Sequence, residues 1–205
     1  MKQQLIVSSS TILVAIIAAI LVMIVHDFTK AISYLCYVKI YNKKYNKNLI
    51  CPGVFKLYRY IDPVGLVLAV TNYTAFSKPY PYIIKSKKAA LIIGILGYLS
   101  IGILFILAIV GHNYILPVVQ LHEYAIFILH GLLEFIAYFS IMMFIANLFP
   151  IVSFDMSLLI SALSPINYVK LYKFDLFYKL SFIVLSLLGV FTVAGVYITT
   201  YFLID

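Results

Sequence analysis

One short stretch of the chain, His26-Asp27-Phe28-Thr29-Lys30, combines residue types that could bind a metal and activate water. It has the form of an H-E-x-x-H zinc motif with two positions changed. In that motif, histidines four residues apart lie on one helical face and bind the metal, while the glutamate acts as the base. Here His26 is retained, Asp27 stands at the glutamate position, and Lys30 stands at the second histidine. These two changes decide whether the chain can be an enzyme.

Carboxylates in apolar segments are the next candidates, because a charge inside a bilayer costs roughly 3 kcal/mol or more. Four of the seven acidic residues are of this kind: Asp27, Asp62, Glu134 and Asp155. Asp27 ends the first apolar span, and Asp155 follows the corresponding end of a later long helix, so the two can meet. Asp62 directly precedes Pro63 and is predicted to cap a helix N-terminus.

The remaining ionisable residues lie in the opposite half of that long helix. His130 is roughly 25–30 Å along the axis from residues 147–150, so it cannot complete a metal site beside Asp155. His130 and Glu134 are four residues apart, and we predict a structural polar contact between them. A proton-relay role for the pair stays open as an alternative.

Composition places nearly all of the chain in lipid. Of 205 residues, 64% are hydrophobic and 11% are charged, and the mean hydropathy is +1.08, whereas soluble domains carry about 25% charged residues. We predict an all-α, polytopic helical membrane protein, one domain over residues 1–205, with the lipid bilayer as its surroundings. The net charge of +8 could suggest nucleic acid. The basic residues cluster between apolar runs, however, which is typical of cytoplasmic loops, so no nucleic-acid partner is expected.

Hydropathy divides the chain into five to six membrane segments. The clear spans are residues 4–25, 89–110, 123–148 and 180–202. The first helix is expected to continue through the motif to about residue 42. Residues 61–76 are short for a span and flanked by bases, which favours a re-entrant or tilted segment. A short helix is predicted over 154–165, and a basic loop over 170–179.

Four blocks in this order resemble the site-2 protease family of intramembrane zinc metalloproteases, in its compact bacterial form. The resemblance covers about residues 15–165 and leaves 180–202 as an additional span. Residues 25–31 (VHDFTKA) stand where the family has an H-E-F-x-H-A-like stretch, and residues 60–65 (YIDPVG) are similar to its H-I-D-P-x-G. Residues 76–81 (FSKPYP) are similar to G-W-A-K-P-V-P, followed by 97–100 (GYLS) where the family has G-P-L-S-N. Residues 147–155 (NLFPIVSFD) are similar to N-L-L-P-I-P-P-L-D-G. The further matching positions are Asp62, Pro63, Lys78, Pro79, Asn147 and Pro150.

The resemblance implies zinc ligands at His26 and Asp155 and a base at Asp27. Lys30 occupies the position of a further ligand. The chain also departs from the family pattern at Ile101, Ser153 and Met156.

Lys30 makes a zinc site unfavourable. A catalytic zinc normally has three protein ligands, and two matching ones remain. Presenting a neutral lysine amine at pH 7 costs roughly 4–5 kcal/mol, and a charged one repels the ion. We therefore expect no cofactor, and hypothesise that the Lys30 ammonium takes the electrostatic place of zinc, pairing with Asp155 and also with Asp27. In the alternative, Lys30 extends to the membrane interface.

Three functions follow. The first is a catalytically inactive site-2-protease-like protein of the bacterial cell membrane, with cytoplasmic basic loops, that binds transmembrane helices of partner proteins. The resemblance implies that the Pro-containing, basic segment 78–88 is the edge that accepts an unwound substrate strand. The second is an active intramembrane zinc metalloprotease with an altered site. The third is a small transporter or channel component that uses Glu134, His130 and the other membrane carboxylates.

Overall fold

The computed structural model describes residues 9–51, 53–78, 81–119 and 122–203, and these contain helices and no strand. The α-helices are α1 (Ser9–Tyr45), α2 (Pro63–Asn72), α3 (Lys87–Val110), α4 (Glu123–Asn147), α5 (Asp155–Leu163), α6 (Pro165–Lys173), α7 (Asp175–Leu187) and α8 (Val190–Phe202). A 3₁₀ turn covers Leu57–Tyr60, and a π-helical turn, Gly111–Ile115, continues α3 into a second 3₁₀ turn at Leu116–Val118. The predicted all-α fold is confirmed.

Among the described residues, three helical segments are long and apolar enough to cross a membrane: Thr11–Tyr45, Lys87–Val118 and Glu123–Asn147. The pair α7 and α8 would be a fourth if it forms one bent span. The protein is therefore a helical membrane protein with three such helices, or four with the bent pair. Beyond these four, a count of five requires α2 or α5 to enter the bilayer, and a count of six requires both.

The C-terminal region differs from its prediction in two respects. The expected basic loop over 170–179 is helical, because Ser164 and Pro165 start α6 and Asp175 begins α7 directly after it. The expected continuous span over 180–202 is broken, because α7 and α8 meet at an angle of 60°. Gly189 lies at the break with φ of 72°, a left-handed conformation that side chains other than glycine rarely adopt.

The core is built around α1, α3 and α4, which pack against one another. Its centre is apolar, with Phe139, Met142 and Met143 of α4 fully buried against Val22 and Met23 of α1. The short helix α5 packs on α3, and α8 packs on α4. This arrangement brings the start of α5 to the middle of α1.

The loop between α2 and α3 lies against the core. As predicted, Asp62 caps α2, and its Oδ1 accepts hydrogen bonds from the Val64 and Gly65 amides at 2.8 and 2.9 Å. Gly65 allows the backbone of Phe76 to approach, because a Cβ there would lie 2.0 Å from the Phe76 carbonyl oxygen. The chain after α2 therefore runs close beside that helix and presents Ser77 to α1.

Candidate functional site

Three ionisable side chains of the opening motif lie on one buried face of α1. His26, Asp27 and Lys30 are 1%, 0% and 2% exposed. Residues three and four apart share a helical face, so the sequence spacing directs these side chains into the bundle together. Lys30 therefore does not extend to the membrane interface, and its charge has to be balanced inside the protein.

The Lys30 ammonium lies between two carboxylates. Its Nζ is 2.7 Å from Oδ1 of Asp155, to which it donates a hydrogen bond, and 2.7 Å from Oδ1 of Asp27. The contact with Asp27 is an ion pair. No described residue gives either oxygen of Asp27 a well-directed hydrogen bond.

Asp155 also contacts His26, through its second oxygen. His26 Nε2 lies 2.7 Å from Asp155 Oδ2, and Nδ1 lies 3.0 Å from the Ser77 hydroxyl oxygen. Because a carboxylate only accepts, Nε2 is the donor in the first contact. We call His26, Asp27, Lys30, Ser77 and Asp155 the ionic cluster.

The neighbouring helices fix the position of Asp155. It is the first residue of α5, where the amide dipoles favour a negative charge. Its backbone N–H donates to the Asn147 side-chain oxygen at 3.2 Å, and the Tyr98 hydroxyl donates to the Asn147 carbonyl at 2.6 Å. Gly97 lets the carboxylate lie against the α3 backbone, because a Cβ there would be 2.1 Å from Oδ2.

The electrostatics of the cluster are those of two acids and one permanent cation. The positive charge of Lys30 and the Nε2–H of His26 favour the ionised form of Asp155, against the cost of burying it. With a neutral imidazole the cluster carries one net negative charge, and with an imidazolium it is neutral.

The donor set does not fit a catalytic zinc ion. His26 directs Nε2 toward Asp155, while Asp27 lies 3.8 Å from the other ring nitrogen, Nδ1. The position between the two carboxylates is taken by the Lys30 ammonium. Within the part of the chain that the structure describes, no three His, Cys, Asp or Glu side chains are grouped to hold a metal. The expectation that the protein has no cofactor stays a prediction.

Ser77, His26 and Asp155 form a hydrogen-bonded chain of the residue types found in serine hydrolases. The imidazole is reversed relative to that arrangement, with Nδ1 rather than Nε2 facing the hydroxyl. The carboxylate is also shared with Lys30, which weakens its support for an imidazolium. The chain of hydrogen bonds therefore serves to orient His26.

A cavity of about 250 Å³ opens beside the cluster, with Ser77, Asp62 and Lys179 among its lining residues. Lys179 of α7 also pairs with Asp175, and their charged atoms are 2.5 Å apart. Of the five residues of the ionic cluster, Ser77 is the one that lines this cavity.

The other predicted positions have structural roles around the cluster. Pro63 is the first residue of α2, and Lys78 is exposed, with its backbone N–H bonded to the Tyr60 carbonyl at 3.2 Å. Pro150 is half-buried just beyond the end of α4. Pro79 lies outside the described residues.

His130 and Glu134 are far from the cluster, as predicted from the helix length. The His130 ring lies against that of His112, with centroids 4.1 Å apart. Both His130 and Glu134 line a second, larger cavity on that side of the bundle. The predicted contact between them stays a prediction.

Two components of the site were not among the predicted site residues. Ser77 and Gly97 belong to sequence blocks already noted, but no role was assigned to either. Gly97 offered a signal, because a glycine inside an apolar helical run weakens the helix and so points to close packing. Ser77 lies between Phe76 and Lys78 in a polar, Pro-containing stretch and offered none.

Comparison with known protein families, curated proteins and solved structures finds no match to the chain. The resemblance to site-2 proteases therefore stays a prediction that rests on the four sequence blocks.

Replacing Lys30 by methionine should destabilise the protein strongly. The change leaves Asp27 and Asp155 buried without their cation, which costs about 3–5 kcal/mol. Lys179→Met removes the lysine from a pair whose side chain is 44% exposed, so it should cost about 1 kcal/mol or less. Unfolding of the purified protein in detergent measures both. Equal, small effects would contradict a buried ionic cluster, and Asp155→Asn added to Lys30→Met should recover part of the loss.

Proposed function

We propose that the chain is a catalytically inactive, site-2-protease-like protein of a bacterial cell membrane that binds transmembrane helices of partner proteins. The observation that carries this proposal is the position of Lys30 Nζ, 2.7 Å from both Asp27 and Asp155. These are the residues at which the resemblance implies the base and a zinc ligand. A lysine ammonium fixed at this place repels a metal ion and so opposes its binding.

Loss of the metal removes hydrolysis but leaves the scaffold. A metal-activated water is what makes a carboxylate at position 27 useful as a base. Without it, Asp27 and Asp155 balance the charge of Lys30. The bundle and its loop segments remain available for binding.

The extended segment 81–86 is the proposed binding edge. Residues 81, 83 and 85 are exposed while 82, 84 and 86 are half-buried, the alternation of a strand. The N–H groups of Ile83 and Lys85 bond to the hydroxyls of Tyr34 and Tyr37, at 3.0 and 3.1 Å. Successive N–H groups of an extended chain point to opposite edges. The N–H group between Ile83 and Lys85 therefore faces away from α1, and an unwound partner segment can pair with that outer edge.

We further propose five to six membrane segments with the basic loops in the cytoplasm. α2 has ten residues, about 15 Å, half of the ~30 Å hydrocarbon core, which suits a re-entrant segment. The bent pair α7 and α8 adds one span, and α5 enters from the same side as α2. The lysines of α6 mark that side as cytoplasmic by the positive-inside rule.

Zinc content tests the loss of the metal site. The purified full-length chain should bind well under one zinc per molecule. Asp27→Glu with Lys30→His restores the complete motif and should raise zinc toward one per molecule, because it supplies a third ligand and removes the cation. Adding Asp155→Ala to that variant should abolish the gain. Near-stoichiometric zinc in the unmodified protein, lost on Asp155→Ala alone, would favour the active metalloprotease instead.

Site-specific photo-crosslinking in membranes tests the binding edge. A photoreactive residue at Ile83, 55% exposed, should give discrete protein adducts whose crosslinked peptides map to transmembrane segments. Ile106 on α3 is 59% exposed and serves as the control, expected to give lipid adducts. Lipid adducts alone at both positions would contradict partner binding at this edge.

Thiol labelling tests the orientation. In a Cys36→Ser/Cys51→Ser background, Val118→Cys should react with a membrane-impermeant maleimide in intact cells. Tyr172→Cys on α6 should react only after permeabilisation, since it lies among the lysines of the cytoplasmic side. Both positions are exposed, at 79% and 68%. The reverse pattern would invert the proposed topology.

A further inference from the structure

A groove of about 480 Å³ lies between α1, α4 and α8, and residues such as Val14, Glu134 and Val196 line it. Its place in the bundle separates it from the ionic cluster. Val14 and His26 are twelve residues apart on α1, which is about 18 Å along the helix axis. The groove is therefore a second site, and what it binds is independent of the function proposed for the cluster.

The walls of the groove are mainly apolar and aromatic, with one formal charge. Tyr73, Phe127, Phe135 and Tyr138 contribute rings, and Glu134 contributes a carboxylate. None of the lining residues is a lysine or an arginine. A lone carboxylate among aromatic faces favours a cation, through charge and through the negative potential of the ring faces.

Glu134 lies deep enough to make its charge costly. It is eleven residues into α4, about 16 Å from the start of the helix, and its side chain is exposed to the groove. A carboxylate at that depth of a bilayer is unfavourable unless a partner compensates it. A bound cation supplies that compensation.

Thr192 and Thr199 of α8 form part of the wall that faces α4 across the groove. His130, whose ring lies on His112, also borders the groove.

We propose that this groove binds a small amphiphilic amine, an apolar molecule with one protonated nitrogen. The volume is in the range of small-molecule sites, roughly 300–1,000 Å³. The apolar body lies against the aromatic walls, and the ammonium pairs with Glu134. Such amines partition into bilayers, so they reach the groove laterally.

The chain contains no tryptophan, which permits a single-reporter experiment on the full-length protein. Phe127→Trp places one indole at the groove, and 1-adamantanamine is titrated against its emission in detergent, with 1-adamantanol as the uncharged analogue. We expect saturable binding of the amine that is about tenfold or more tighter than that of the alcohol. Glu134→Gln in this background should weaken amine binding about tenfold or more and leave the alcohol unchanged.

A matched variant keeps the result interpretable. Glu123→Gln removes an acid of the same helix that does not line the groove, and should leave both affinities unchanged. Equal affinities for amine and alcohol, amine binding unaffected by Glu134→Gln, or no saturable signal with the amine would each overturn the proposal.

Discussion

Two carboxylates in the interior of a membrane bundle require a cation, and Lys30 provides it. An isolated buried charge costs several kcal/mol, and a pair recovers that cost only when the geometry is close and the remaining atoms are satisfied. The contacts of 2.7 Å to both Asp27 and Asp155 meet the first condition. His26 meets part of the second by donating Nε2–H to Asp155, whereas no described residue gives Asp27 a well-directed hydrogen bond. This balance of charge determines how the segments that meet at Lys30 are positioned.

The same balance explains why small residues surround the cluster. Asp155 can reach Lys30 only if its helix approaches α3 closely, and Gly97 provides the space. His26 can face Asp155 only if its other nitrogen has a partner, and Ser77 provides it. Ser77 in turn depends on Gly65, which lets the chain after α2 lie against that helix. The short helices and the loop are therefore positioned by the needs of one buried carboxylate.

The sequence predicts features that depend on hydropathy or on residues close together in the chain. Hydropathy predicts the all-α membrane fold, and the neighbouring Pro63 predicts the cap at Asp62. The proximity of Asp27 to Asp155 follows because their helix ends lie on the same side of the membrane. The break at Gly189 was not predicted, because one glycine in an apolar run is compatible with a continuous helix. The role of Ser77 was not predicted either, since it depends on how a loop folds back over α1. The groove at Glu134 requires three helices that are distant in sequence.

Stability alone does not account for an ionic cluster in this position, because well-packed apolar side chains of similar volume are often as stable as a buried ion pair. The cluster instead specifies how the neighbouring helices are positioned against one another. Apolar helix surfaces in a membrane pack against lipid about as well as against one another, so they define the position of a neighbouring helix poorly. A carboxylate that must meet an ammonium and an imidazole has one acceptable position. Asp155 therefore sets the register of α5 against α1 and α3. A cation placed where the resemblance implies a metal can hold the carboxylates in position as a metal would, without activating water.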